Sequence, residues 1–218
     1  MRKKEKSLGE FLDVYKERRS ASKFVPDVQM SEKELDEIFN LVKLAPSAFN
    51  LQHVHYVVIN YTEGKQKMYE ASGKQYKVLT SSAVIVVLGD TRAHEHTAEI
   101  YEGMLNLGIL SKQEYDQTVA STIQFYEDRG DVFQKEEAIR NASLSAMALM
   151  LIAKEKGWDT CPMIGFDPVQ VATDLHIPDT YIPVMMMTIG KEDTASQRPR
   201  GYRKPVAEFV SYHSFQSQ

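Results

Sequence analysis

The stretch that most constrains this chain is residues 142–153, ASLSAMALMLIA, in which nearly every position is apolar or small. A helix written that way leaves no face for water and has to be buried all round. It reads as the core helix. The run Leu149-Met150-Leu151-Ile152, bracketed by Ser143, Ser145, Lys154 and Glu155, is far shorter than the roughly 20 apolar residues a bilayer requires. Lys154 and Lys156 fall in the expected last turn, opposing the negative end of the helix dipole, and Gly157 is placed to take the left-handed conformation that stops it. The residues that follow, Cys161-Pro162-Met163-Ile164-Gly165-Phe166-Asp167-Pro168, offer no acid or base ahead of Asp167. They are predicted to form a loop that acts through its backbone N–H groups and through the close approach Gly165 permits, as a flat hydrogen-bonding ligand requires.

The chain has 218 residues, 43% of them hydrophobic, which suits a single domain over 1–218. Lys and Arg total 26 against 30 Asp and Glu, a formal charge of -4, so no broad nucleic-acid or anionic-membrane footprint is expected. Any basic site must be local. Cys161 is the single cysteine, which excludes an internal disulfide and fits a reducing compartment. Met1-Arg2-Lys3-Lys4-Glu5-Lys6 is basic but leads into Ser7-Leu8-Gly9-Glu10 rather than an apolar region, so no signal peptide is expected. Together these point to a cytoplasmic protein.

Taken in order, Ser7 with Glu10 makes a capping-box pattern, and Leu8, Phe11, Leu12 and Tyr15 predict a first amphipathic helix to about Glu17. It delivers Arg18-Arg19-Ser20-Ala21-Ser22-Lys23. In an extended chain Arg18, Ser20 and Ser22 share a face and could converge on an anion; a solvated basic turn is the competing reading. Ser31 with Glu34 repeats the capping signal before a second helix, expected to stop at Pro46. Residues 46–52, PSAFNLQ, then read as a loop whose Asn50 and Gln52 offer donors and acceptors suited to a heterocycle edge, or simply as a capped turn. Residues 55–59 and 83–88 read as strands, the second buried on both faces. Residues 63–82 between them are expected to be helical, with Gln75 near the second strand. Residues 90–133 read as a helical excursion or lid, in which Phe125 and Tyr126 either close a pocket or pack against the body. Asp167 is an expected N-cap with Pro168 at the first helical position, for a short helix to His176. Residues 181–190 are a predicted strand, with Pro183 near its start or at an edge and Met185, Met186 and Met187 as core filling. A second basic patch, residues 198–205, follows.

Several chemistries lack their residues. No glycine-rich phosphate fingerprint and no G-x-S-x-G elbow occurs. His53 and His55 share a strand face without an identifiable third ligand, so no metal is expected. Cys161 among apolar neighbours reads as a small core residue. Anion-binding patches at both ends, amide-bearing loops and no catalytic side-chain constellation favour chemistry done by a bound cofactor.

In order along nearly the whole chain, three stretches resemble the nitroreductase family of flavin enzymes. Arg18-Arg19-Ser20 is similar to its Arg-Arg-Ser opening; residues 45–52 resemble its A-P-S-x-x-N-x-Q; residues 159–167 resemble its glycine-containing flavin loop. The resemblance implies an α+β fold, a mixed, mostly antiparallel sheet flanked by helices, in an intertwined homodimer with two FMN sites at the interface. Ala142, Ser145, Ala146 and Ala148 would allow close helix approach there, and the C-terminal tail would cross onto the partner. By the same resemblance, Arg18, Arg19 and Arg203 lie near the FMN phosphate with Ser20 beside them. Pro46, Ser47 and Ala48 come from the other subunit, and Asn50, Gln52 and Gln75 lie toward the isoalloxazine edge. Pro162, Met163, Ile164 and Gly165 line one face, with the Ile164 N–H toward flavin N5. The chain departs from the family at Ser22, where Lys or Arg often stabilises the reduced flavin; at Ile164, where small or acidic residues are common; and at Val54, usually aromatic.

The implied activity is hydride transfer from NADH or NADPH through FMN to a nitroaromatic, quinone or similar flat acceptor, by a ping-pong mechanism. No side chain is required as acid or base, and Phe125 and Tyr126 are candidates for the substrate-side wall. Reductive dehalogenation on the same scaffold and a non-enzymatic flavin-binding or redox-sensing role are the alternatives.

Overall fold

A computed structural model describes residues 8–197 and 199–215. Its centre is a four-stranded sheet of β1 (Val54–Ile59), β2 (Ala83–Asp90), β3 (Asp159–Met163) and β4 (Tyr181–Gly190) in the order β1-β2-β4-β3, with every neighbouring pair antiparallel. A parallel bridge between Ser20 and Thr160 extends it beyond β3, giving the expected mixed character.

Every residue of β2 is buried, and alternate side chains serve two different cores. Ala83, Ile85 and Val87 pack beneath α2 (Glu32–Val42) and α7 (Gly130–Glu155); Val84, Val86 and Leu88 pack with Met68, Val78 and Val171 on the opposite face. The second face is covered by α3 (Thr62–Ala71), α4 (Lys77–Thr80) and α8 (Pro168–Asp174). Met186 and Met187 also divide between the two cores, which is the core-filling role expected of them. Pro183 lies opposite Leu88, where the β2–β4 register slips by one residue, and before the part of β4 that pairs with β3. A missing N–H is tolerated in such a place.

The helices follow their caps. α1 spans Leu8–Glu17; Ser7, and with it the expected capping box, lies outside the described residues. At α2 the Ser31 hydroxyl accepts from the Glu34 N–H, and the Glu34 carboxylate accepts from the Ser31 N–H at 2.9 Å. This helix ends at Val42, before Pro46, because the chain relaxes into tight turns closed by Leu44 N–H to Leu41 and Ala45 N–H to Val42. A second capping box, Ser111 with Glu114, starts α6 (Lys112–Glu127), which follows α5 (Thr97–Asn106) in the excursion. Asp167 caps α8 with Pro168 at its first position. α9 (Val206–Phe209) is a single turn in the tail.

Two expectations need correction. The core helix begins at Gly130, twelve residues before Ala142, and it is not buried all round: Leu144 is 49% and Ile139 40% exposed. α7 lies on one face of the sheet, so its outer side faces away from this chain's core. It ends as expected, with Gly157 at φ +78° and the Trp158 N–H reaching the Ala153 carbonyl at 2.8 Å. Second, residues 161–163 belong to β3 rather than to a loop. Cys161 and Met163 point into the core while Pro162 takes the intervening register position opposite Met187. On an edge strand, proline's missing donor costs little.

Among the described residues no helix is long and apolar enough to cross a membrane.

α7 sits close to the sheet where it crosses Gly89, and a Cβ there would come within 2.9 Å of the Ala138 carbonyl oxygen. Gly89→Ala is expected to force the helix off β2 and cost about 1–3 kcal/mol, read as a lowered denaturation midpoint. An unchanged midpoint would show that the contact does not hold the two elements together.

Candidate functional site

The basic residues from the two ends of the chain converge beside β3. The Ala21 N–H donates to the Thr160 carbonyl at 3.0 Å, which seats residues 18–22 along the sheet edge. From the tail, the Arg200 guanidinium donates to the carbonyls of Lys16 and Arg18. The Arg18 pKa is lowered by burial and by the like charges of Arg200 and Arg203, against which Tyr15 and Cys161 act in the opposite sense. Three guanidinium groups thus crowd one corner, a disposition that an anion would relieve. Arg18 and Arg19 are half-buried, Ser20 and Ser22 exposed, and Arg203 exposed. Arg200 was not singled out from the sequence as a site residue, although the 198–205 patch contains it.

The segment after β3 runs along the same edge. Gln75 donates through Nε2 to the Gly165 carbonyl at 3.0 Å and to the Ser72 carbonyl at 3.1 Å, tying this loop to the end of α3. Ile164 is 84% exposed and Pro162 half-buried. Met163 is buried to 6% exposure, so only its backbone could line a ligand. Lys77 also reaches this edge, its ammonium 3.2 Å from the Cys161 sulfur. The cysteine itself is core, as expected.

Residues 46–52 lie elsewhere. They lead into β1, at the opposite edge of the sheet, and three of them, Pro46, Ser47 and Gln52, line an open groove of about 640 Å³ with Phe39, Tyr56, Asn141 and Ser145. The loop carries three non-glycine residues in the left-handed region: Phe49 at φ 51°, Asn50 at 53° and Gln52 at 52°. Each costs of order 1–3 kcal/mol and persists only where surroundings impose it. Here the imposed bonds are Gln52 N–H to the Ser47 hydroxyl at 2.9 Å and Ala48 N–H to Asn141 Oδ1 at 2.8 Å.

Register fixes how far apart these groups are. Val54 pairs across to Gly89 and Ile182, whereas Thr160 pairs with Ile189. The guanidinium corner and the 46–52 loop are therefore separated by about 14 Å across the strands and about 23 Å along them, from ordinary sheet spacings.

Tyr126 is not at a surface. It is 1% exposed, stacked on His94 with centroids 5.1 Å apart, and its hydroxyl lies 3.3 Å from His53 Nε2. Phe125 is half-buried, 5.3 Å from the Phe49 ring and capped by the Arg129 guanidinium. The pair thus packs against the loop that precedes β1, and Tyr126 is closed off as a wall for a ligand of this chain. Among the described residues no group of three or more His, Cys, Asp or Glu could hold a metal ion.

The nitroreductase family model matches residues 15–191. The chain belongs to the nitroreductase family. MhqN of Bacillus subtilis, provisionally named an NAD(P)H nitroreductase, is 58% identical over 94% of this chain and 100% of its own length. The CLA biosynthesis enone reductase from Lactiplantibacillus plantarum is 33% identical, over 86% of each chain. Among solved structures, a provisionally named nitroreductase from Exiguobacterium sibiricum in complex with FMN has a TM-score of 0.85 at 32% identity, covering 93% of this chain and 96% of that one. Family membership agrees with the α+β architecture and with the order of the three motifs.

His53 is buried and neutral: burial, and secondarily His94, lower its pKa from 6.5 to about 4. Its unfolded form takes up a proton as pH falls below 6.5 while the folded form resists to about 4, so stability present above 6.5 is lost over that window. The loss is on the order of 3 kcal/mol. His94 shifts in the same direction through burial. Denaturation midpoints at pH 7 and 4.5 should fall further for the natural protein than for His53→Phe; equal falls would remove His53 from the account.

Proposed function

We propose that this chain is an FMN-dependent NAD(P)H oxidoreductase acting as a homodimer on nitroaromatic, quinone or similar flat acceptors. The observation that carries the reading is the split between a cluster of guanidiniums at one corner of the sheet and an amide-bearing, strained loop at the opposite corner. No single flavin could be gripped by both halves of one chain across that diagonal. Two chains packed with one's corner against the other's loop would close two equivalent sites, as a two-fold dimer requires.

The residues fit the cofactor. Arg18, Arg200 and Arg203 would hold the dianionic phosphate, with Arg19 and Ser20 beside them. Pro162, Ile164 and Gly165, with the Met163 backbone, would lie against one face of the ring, the Ile164 N–H as donor toward N5. A Cβ at Gly165 would make only ordinary contact with its nearest neighbour, Gln75 Nε2 at 3.6 Å, so nothing within this chain itself requires a glycine there. Pro46, Ser47, Ala48, Asn50 and Gln52 would come from the partner, and Gln75 from the same chain as Gly165. Ser22 leaves the ring's carbonyl side without the usual cation, which Lys23 could replace.

Bound FMN would supply hydride and electron transfer between the nicotinamide and the acceptor, each using the same face in turn. The chain's own residues orient that face and exclude water from it; no side chain is needed as acid or base. Exposed Leu144 on α7 and Phe209, Tyr212 and Phe215 in the tail, between 49% and 91% exposed, offer the apolar surface such a dimer would bury. The tail would lie in the partner's groove along α2, β1 and α7. The enone reductase relative supports a second acceptor class, carbon–carbon double bonds conjugated to a carbonyl.

The purified protein should show flavin absorption bands that bleach under anaerobic NADH or NADPH and recover with a nitroaromatic, quinone or enone, the recovery rates ranking the three. Bands that persist with either nicotinamide would favour a binding or sensing role, and no bands even after added FMN would overturn the reading. Arg203→Ala should weaken FMN about tenfold while leaving riboflavin, which lacks the phosphate, unaffected. Equal losses for both would move Arg203 away from the phosphate.

A further inference from the structure

α7 carries a polar stripe on its buried side. Glu137, Asn141 and Ser145 recur every four residues and are 7%, 4% and 4% exposed. In a helix, that spacing places them on one face. Ser145 shares a 2.7 Å hydrogen bond with the Tyr56 hydroxyl of β1. Asn141 holds the flavin-type loop itself, since its Oδ1 accepts from the Ala48 N–H. The orientation of that amide is set from behind: Nδ2 donates to the Glu137 carbonyl at 2.8 Å and to Glu137 Oε2 at 3.2 Å. With both donors engaged there, the oxygen has to face Ala48. Glu137 is in turn fixed by an ion pair with Arg140 and by the Tyr126 hydroxyl, 3.5 Å from Oε2. Tyr126 then connects to His53, immediately before β1.

We infer that Glu137 and Asn141 are positioning residues, a buried relay that clamps residues 47–52 in their strained conformation so that the loop is ready for the partner's flavin. The inference rests on the proposed flavin reading. Its physical content is pre-organisation: three left-handed residues are held before any ligand arrives, so binding need not supply that strain. Cutting the relay frees the loop while leaving the guanidinium corner and the sheet untouched.

The test compares FMN affinity of the natural protein with Asn141→Leu, Glu137→Leu, Glu137→Gln and the double leucine variant. Each is measured well below its own unfolding temperature so that the folded fraction cannot limit binding. Asn141→Leu and Glu137→Leu should each weaken FMN about ten- to hundredfold. The double variant should be no weaker than either, because the two residues act as one unit. Glu137→Gln, which keeps an acceptor for Asn141, should stay within about threefold of the natural protein. If Asn141→Leu does not fold, Asn141→Ala and Glu137→Leu carry the same comparison. Natural affinity in Asn141→Leu or Glu137→Leu, additive losses in the double variant, or a Glu137→Gln as weak as Glu137→Leu would each overturn the relay. A natural protein that takes up no FMN would instead overturn the flavin reading on which the relay stands.

Discussion

The seating of α7 on β2 is the contact on which the rest depends. Ala138, Ala142, Ala146 and Ala153, with Leu149, are fully buried, and the small side chains bring the helix close enough that only glycine fits at position 89. That closeness has two effects. It completes the core beneath α2, and it carries the polar positions 137, 141 and 145 to the lead-in of β1, where they hold the loop and the strand. A larger residue at the alanine positions would lift the stripe away from Ala48 as well as opening the core.

Most of the fold was legible in local signals. Ser31 with Glu34, Asp167 with Pro168, and Gly157 after the lysines mark helix ends by mechanisms that act within a few residues, so they need no tertiary information. β2 declared itself by an unbroken apolar run. β3 did not, because Pro162 in so short a segment looks like loop punctuation until the edge position and the inward-facing Cys161 and Met163 are known. The start of α7 was hidden for a different reason: residues 130–141 carry charges and a glycine, and only packing shows that Glu137 and Asn141 are turned inward. A polar residue every four positions, running into an apolar stretch, was the available signal.

The candidate site could be written from the sequence as a list of residues but not as a geometry. Arg18 and Arg203 stand far apart in sequence and meet at one corner, together with Arg200, because Ser20 bridges to Thr160 and the tail returns over residues 16–18. Tyr126 stayed open between a wall and a packing residue in the sequence because an aromatic on a polar helix reads the same whether it faces a ligand or, as here, two buried histidines. That the loop at 46–52 occupies the far diagonal follows only from strand order and register. This separation turns a resemblance in motifs into a physical argument for a site made from two chains.

The central claim is therefore tested most directly by complementation. Arg18→Glu damages the guanidinium corner and Ala48→Glu the opposing loop; each homodimer should hold no FMN. In a co-refolded equal mixture, random pairing makes half the dimers mixed, and each mixed dimer has one intact site and one doubly damaged site, so flavin occupancy should recover to about a quarter of the natural value. No recovery in mixtures shown to contain mixed dimers would mean that each site lies within a single chain, and would contradict the account.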